Sequence, residues 1–255
     1  MISTRDIVVQ NRVLAAIDPE NFNLLRPHLR LVPLKRRAIL QDHNRRIDRV
    51  HFIERGVASL FARTQRDGPV EVAIVGRLGL VGVAAVLGTM RSPNRALMQV
   101  PGDALQIASQ DLRRVMESSS AIRQQLLNYV HVLLVQNSQT ELCNARHELG
   151  ERLCRWLLLA SERLDERFIP LTHDMLSMIL GVRRAGVTEA LASLEQAGVV
   201  KKARGVIEIL NRVEMERQAC ECYRIIAAEY RRLTGPSCYE HVLECPAEEP
   251  ERARD

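Results

Sequence analysis

The sequence predicts an α+β fold: an N-terminal antiparallel β-roll, one long helix, and a C-terminal winged helix-turn-helix. Three observations predict it. Between residues 32 and 110, short apolar runs alternate with glycine-containing turns. From about Ser120 to Asn144 there is no Gly or Pro, and apolar residues recur at three- and four-residue steps. From Leu171 to Glu195, two short amphipathic stretches flank Gly181, and a hairpin-like segment with a cationic tip follows.

Residues 18–31 read as a short helix. Asp18-Pro19-Glu20 supplies a cap and a proline at the first turn, and Phe22, Leu24, Leu25, Leu29 and Leu31 supply an apolar face. The strand region begins with Val50-His51-Phe52-Ile53, then the turn Glu54-Arg55-Gly56, then the run Val57–Arg63. Gln65–Pro69 makes the next turn before Val70–Val75. Ala96–Val100 and Ala104–Ala108 form a further pair about Pro101-Gly102-Asp103. Short, regularly spaced strands of this kind close into a sandwich or roll. Gly76, Gly79 and Gly82 follow no dinucleotide fingerprint and open no βαβ unit, so they read as strand turns.

Ser109 or Asp111 caps a short helix reaching Met116. In the long helix, Leu126, Val130, Leu133 and Asn137 have the spacing of a coiled-coil seam, with Asn137 as its polar member. That stripe is the expected dimer interface. Glu148–Leu164 is a second helix with Leu149, Leu153, Trp156, Leu157 and Ala160 on one face. Expected units are residues 1–117 (β-roll, signal-sensing), 118–146 (dimerisation helix), 147–232 (winged helix) and 233–255, a Pro-containing polar tail expected to be disordered.

The helix-turn-helix has a mechanical reading. Thr172 caps the first helix; Leu176, Ile179 and Leu180 face inward; Gly181 makes the left-handed turn; Val187, Leu191 and Leu194 are the inner face of the second helix. Arg183, Arg184, Ala185, Gly186, Thr188 and Glu189 fall at the N-terminal, outer side, where a recognition helix meets base edges. Lys201, Lys202 and Arg204 sit on the hairpin that follows, suited to phosphate contact. The implied partner is double-stranded DNA.

With these residues in place, the chain resembles the Crp/Fnr family of bacterial transcription regulators over residues 20–215. Val50–Ala58 resembles the family's strand-turn-strand, and Leu171–Leu194 its DNA-binding signature. The resemblance implies a roll of the cyclic-nucleotide-binding type, a homodimer, a palindromic promoter site, an effector at the roll, and RNA polymerase as a candidate further partner. Two family features are missing. Residues 79–88 lack the carboxylate that holds a ribose hydroxyl in cyclic-nucleotide binders, although Arg91-Ser92 stands near the phosphate-binding pair. No cysteine precedes Cys143, so the N-terminal iron–sulfur cluster of oxygen-sensing members is absent. Val81, Val83, Leu87, Arg91 and Ser92 are the candidate effector pocket. At the start of the recognition helix, Arg184-Ala185-Gly186-Val187 stands where nucleotide-responsive relatives carry Arg-Glu-Thr-Val.

Composition sets the outer limits. Of 255 residues, 46% are hydrophobic but only 4% aromatic, so the core is built from Leu, Val, Ile and Ala. A net charge of +5 permits an anionic partner without demanding one. No apolar run reaches a membrane span, and the N-terminus has no apolar signal region, so a cytoplasmic protein with no membrane partner is expected. Haem through His28, His43 or His51, and a metal held by Cys220, Cys222, Cys238, His241 and Cys245, are weaker readings; Cys-x-Cys is not ordinary zinc spacing. No cofactor, no metal and no catalytic set of nucleophile, base and acid is expected. The competing function class is a dimeric scaffold that keeps the roll and seam, with vestigial DNA binding.

Overall fold

The computed structural model describes residues 4–63, 66, 68–235 and 242–246. The chain enters on strand β1 (Thr4–Val8) and turns at Asn11, whose side chain accepts from the Val13 and Leu14 amides and so caps α1 (Arg12–Ala15). Asp18 caps α2 (Pro19–Leu25) in the same way. Here the helix expected to reach residue 31 stops early. Pro27 lacks an amide hydrogen, a short 3-10 turn Arg26–His28 follows, and Arg30–Leu34 is already strand β2.

Strand β3 (Ile39–Gln41) is short; β4 (Arg49–Ala62) runs 14 residues. Strands β5 (Val70–Val75) and β6 (Leu80–Val81), helix α3 (Val83–Val86) and a second 14-residue strand, β7 (Arg95–Ala108), complete the roll. The sheet order is β2-β7-β4-β5, with β3 beside β7 and β6 beside β4. The two strand-turn-strand units read from the sequence are each one bent strand. The ladder between β4 and β7 slips at Ile53, Arg55 and Val57, which are bulges rather than reversals. Both bends meet face to face. A Cβ at Gly56, whose φ is 86°, would stand 2.6 Å from the Val100 carbonyl, and one at Gly102 would collide with the Arg55 carbonyl. Of the turn before β5, Gln65 and Asp67 lie outside the described residues.

Helix α4 (Ser109–Ser118) leads into α5 (Ser120–Arg146), capped by Ser119. His147 ends α5, and Glu148 opens α6 (Leu149–Leu164) with a reciprocal capping box to Glu151. The remaining elements are β8 (Phe168–Ile169), α7 (His173–Leu180), α8 (Arg184–Gln196), β9 (Val200–Ala203), β10 (Val206–Ile209), α9 (Arg212–Gln218) and α10 (Cys222–Thr234). Strands β8, β10 and β9 form the three-stranded sheet of the winged unit.

Residues 233–255 were expected to be disordered, yet Val242–Pro246 forms strand β11, antiparallel to β1, with Val8 opposite Val242. The pairing satisfies the backbone groups of two terminal segments at once. The rest of that tail beyond Gly235 lies outside the described residues.

One apolar cluster runs from the roll through α5 and α6 into the winged unit, and a smaller one, including Leu34, Ile53, Val81 and Met98, fills the inside of the roll. Helix α10 lies against α5: Tyr230 donates to Gln136 at 3.1 Å, and Gln125 donates to the Leu233 carbonyl at 3.4 Å. Arg163 is wholly buried; it donates to Gln136 at 2.9 Å and stacks on the Tyr230 ring. Among the described residues, no helix is long and apolar enough to cross a membrane.

Candidate nucleic-acid interface

Helices α7 and α8 form the helix-turn-helix. Thr172 accepts from the Met175 amide at 3.3 Å, as an N-cap does. Gly181 ends α7 in the left-handed region at φ 64°, which a side chain would strain. Leu176, Ile179 and Leu180 are buried against Val187, Leu191 and Leu194. Arg152 of α6 donates to the Leu180 carbonyl at 2.5 Å, anchoring the end of α7 to the helix behind it.

This packing leaves Arg183, Arg184, Ala185, Thr188 and Glu189 exposed on one side of α8. Arg184 is held by Asp174 at 3.2 Å, with both side chains largely in water, so the pair opens at little cost. Thr188 is less free. Its hydroxyl donates to the Arg184 carbonyl at 3.1 Å and sits 3.0 Å from His173 Nδ1. Gly186 departs from the sequence reading, which put it at the outer face. It points back at α6: a Cβ there would lie 3.1 Å from Leu149 Cδ2. The position faces the start of α6, not the outer side of α8.

On the wing, β9 and β10 pair with Val206 opposite Ala203 and Ile209 opposite Val200. Lys201 and Arg204 are exposed. Lys202 is engaged: its ammonium meets Glu195 at 2.8 Å and its amide donates to the same carboxylate at 3.0 Å. These bonds hold the Glu195 carboxyl below the usual range. Alternation along the strand separates the two lysines, one to each side.

The residues expected to line an effector pocket do not converge. Val81 belongs to the inner cluster of the roll, Val83 packs against the larger core, and Leu87 is 54% exposed. Arg91 is exposed and donates to the Asn44 carbonyl at 3.4 Å; Ser92 is half-buried and accepts from the Asn94 amide.

The expected dimer stripe is turned toward its own chain. Leu126, Val130 and Leu133 are buried at 0%, 8% and 6% exposure. Asn137, with its amide nitrogen turned inward, reaches the Val72 carbonyl of β5 at 3.1 Å. The outer side of α5 carries Leu127 and Leu134, exposed by 38% and 59%, with His131 and Ser138 between and beyond them. The periodicity was legible; which of two adjacent stripes the chain itself covers was not.

The histidines considered for haem have structural partners: His51 lies 2.8 Å from Gln106, His43 2.6 Å from the Pro93 carbonyl, His28 3.8 Å from Asp111. Burial pushes His51 down to about 4. The cysteines differ from expectation. Cys238 and His241 lie outside the described residues, and Cys220 and Cys222 instead meet Cys143 and His147 at the end of α5. The signal for this was a Cys143–His147 spacing of one helical turn, which places both on one face.

Residues 151–218 match the model of the Crp-like helix-turn-helix domain. No curated protein matches the sequence. Among the solved structures that share the fold are the following three. FixK2 from Bradyrhizobium japonicum is 14% identical, covering 75% of this chain and 98% of its own, with a TM-score of 0.63. The c-di-GMP-responsive global regulator CLP of Xanthomonas campestris is 14% identical, covering 76% and 100%, at 0.59. A Crp/Fnr transcriptional regulator from Thermus thermophilus is 18% identical, covering 74% and 98%, at 0.58.

Proposed function

We propose that this chain, which carries a Crp-like helix-turn-helix domain on the fold of the Crp/Fnr transcription regulators, belongs with that family and acts as a dimer that binds a two-fold symmetric DNA site. The observation that carries this reading is the exposed N-terminal face of α8, with Arg183, Arg184 and Thr188 beside a wing that presents Lys201 and Arg204. Arg184 has the donor fork for a guanine edge. Ala185 offers a methyl group where the nucleotide-responsive relatives place a glutamate, so the half-site differs at the base pair that glutamate would read. Lys201 and Arg204 supply phosphate contacts that fix register without reading sequence.

The signal that sets activity acts through the roll and is not a cyclic nucleotide. The inside of the roll is packed with Leu34, Ile53, Ala58, Val75, Val81 and Met98. A phosphodiester buried there would lose its water without gaining partners. Titration calorimetry with cAMP is expected to give no saturable heat; micromolar binding would overturn this part.

Selection from random duplexes at two salt concentrations tests the whole reading. The expected product is a palindrome whose half-sites lie about one helical turn apart, with affinity falling steeply as salt rises. A scaffold protein with vestigial DNA binding would enrich no motif.

A further inference from the structure

We propose that Cys143, His147, Cys220 and Cys222 form a zinc site that fastens α10 to the joint between α5 and α6. The four ligating atoms all lie within 4.8 Å of one another. Cys143 Sγ is 3.4 Å from Cys220 Sγ, and Cys222 Sγ is 3.6 Å from His147 Nδ1. Zinc bonds of about 2.3 Å to sulfur and about 2.0 Å to nitrogen place tetrahedral ligands roughly 3.5–3.8 Å apart. The side chains therefore already stand close to a mononuclear shell. An iron–sulfur cluster, with several metal atoms to surround, needs its ligands farther apart.

The donor set points the same way. Three thiolates and an imidazole are soft and borderline donors, of the kind that closes a structural zinc site with no open position. Hard cations would need oxygen, and the cluster offers none. Cys143, Cys220 and Cys222 are buried and pack on one another as a separate patch, apart from the aliphatic core. A zinc ion with three thiolates and one neutral imidazole carries one net negative charge. Arg155 is buried at 3% exposure, its Nε has no partner among the described residues, and it lies within electrostatic reach of Cys143. It supplies the balancing charge that a buried centre requires.

The site's place in the fold gives it a task. Cys143 and His147 lie one turn apart at the end of α5, where His147 is the C-cap and Glu148 begins α6. Cys220 and Cys222 span the step from α9 into α10, past the end of the matched helix-turn-helix domain at residue 218. One ion would tie the outlet of the long helix to the base of the helix that packs along it.

The test uses the full chain, produced in zinc-supplemented cells and purified under reducing conditions without chelator. Elemental analysis is expected to find about one zinc per chain. Cobalt loaded into the stripped protein should give the visible d–d bands and the sulfur-to-cobalt charge transfer of a tetrahedral three-thiolate centre. Cys220→Ser and Cys222→Ser should lose most of the metal; Cys154→Ser, Cys238→Ser and Cys245→Ser should keep it. The wild-type cobalt spectrum stands even if a ligand variant fails to fold. A zinc-free protein with no tetrahedral cobalt spectrum would overturn the proposal. So would iron–sulfur absorption, a Cys143–Cys220 disulfide in the reduced preparation, or zinc retained in Cys222→Ser but lost in Cys245→Ser. None of these readouts involves DNA, so the proposed function can fail or hold separately.

Discussion

Glu71 is a buried carboxyl on β5, accepting from Trp156 Nε1 at 2.6 Å with its second oxygen unpartnered among the described residues. Burial raises its pKa to about 7. The sign follows from linkage. Between the ordinary value and about 7, the folded state holds a proton that the unfolded state has released, so this group's contribution to stability falls as pH rises through that window. His51 acts oppositely, since burial depresses it and costs stability as pH falls below the ordinary histidine range. The comparison must therefore be made against Glu71→Gln, which keeps the acceptor for Trp156. Relative to wild type, that variant should gain on the order of 1–3 kcal/mol between pH 5 and pH 8. Trp156 is the only tryptophan, so its fluorescence follows both unfolding and the titration. A pH-independent difference would mean Glu71 is charged throughout. At the interface, Arg184→Ala should cost about 1–3 kcal/mol and relax one base pair of the selected motif. Lys201→Ala and Arg204→Ala should lower the salt slope by about one unit each. Lys202→Ala should change that slope less, because its ammonium already pairs with Glu195. These residues were legible in the sequence as a basic cluster. Their separation into free and engaged cations was not, because it depends on a strand register and on a carboxylate seven residues upstream.

Among the elements, α8 shows what local pattern can and cannot reveal. Its inner face of Val187, Leu191 and Leu194 follows directly from helical spacing. The role of Gly186 does not, since it depends on where α6 crosses. A Cβ at that position meets only the end of a flexible Leu149 side chain. The helix gains about 1 kcal/mol from replacing glycine with alanine. Gly186→Ala should therefore stabilise the protein by roughly 0.5–1 kcal/mol, read from the denaturant midpoint. Gly186→Leu, which must displace Leu149 altogether, should destabilise it. A destabilised alanine variant would show that Leu149 has no room to move. The roll carries a parallel lesson. Glu54-Arg55-Gly56 and Pro101-Gly102-Asp103 have the composition of reversing turns, yet each continues one strand because the two bends oppose each other across the ladder. Composition signals a departure from regular extension; only the partner strand decides whether it is a turn or a bulge.

Over the whole molecule, α5 is the shared spine, and its two apolar stripes make the proposed dimer testable. The inner stripe, Leu126, Val130 and Leu133, is covered by the chain itself, with Asn137 bonded to β5. The outer stripe places Leu127 and Leu134 seven residues apart, with His131 between them, and leaves them open to water. Apolar side chains at heptad spacing on a 27-residue helix are an apt seam for a second copy. The symmetry of a two-fold site then follows, since an isologous contact along α5 relates the two copies of α8 by the same axis. Charges placed in the two stripes should therefore have different consequences. Leu127→Glu with Leu134→Glu should leave the chain folded, halve the mass by light scattering, and weaken binding to the palindrome far more than to a single half-site. Leu126→Glu should instead unfold the chain, because a carboxylate in that position is buried without a partner. A Leu127/Leu134 variant that keeps its dimer mass would move the interface off the exposed side of α5. One that lost mass and fold together would mean that this stripe, too, belongs to the core of a single chain.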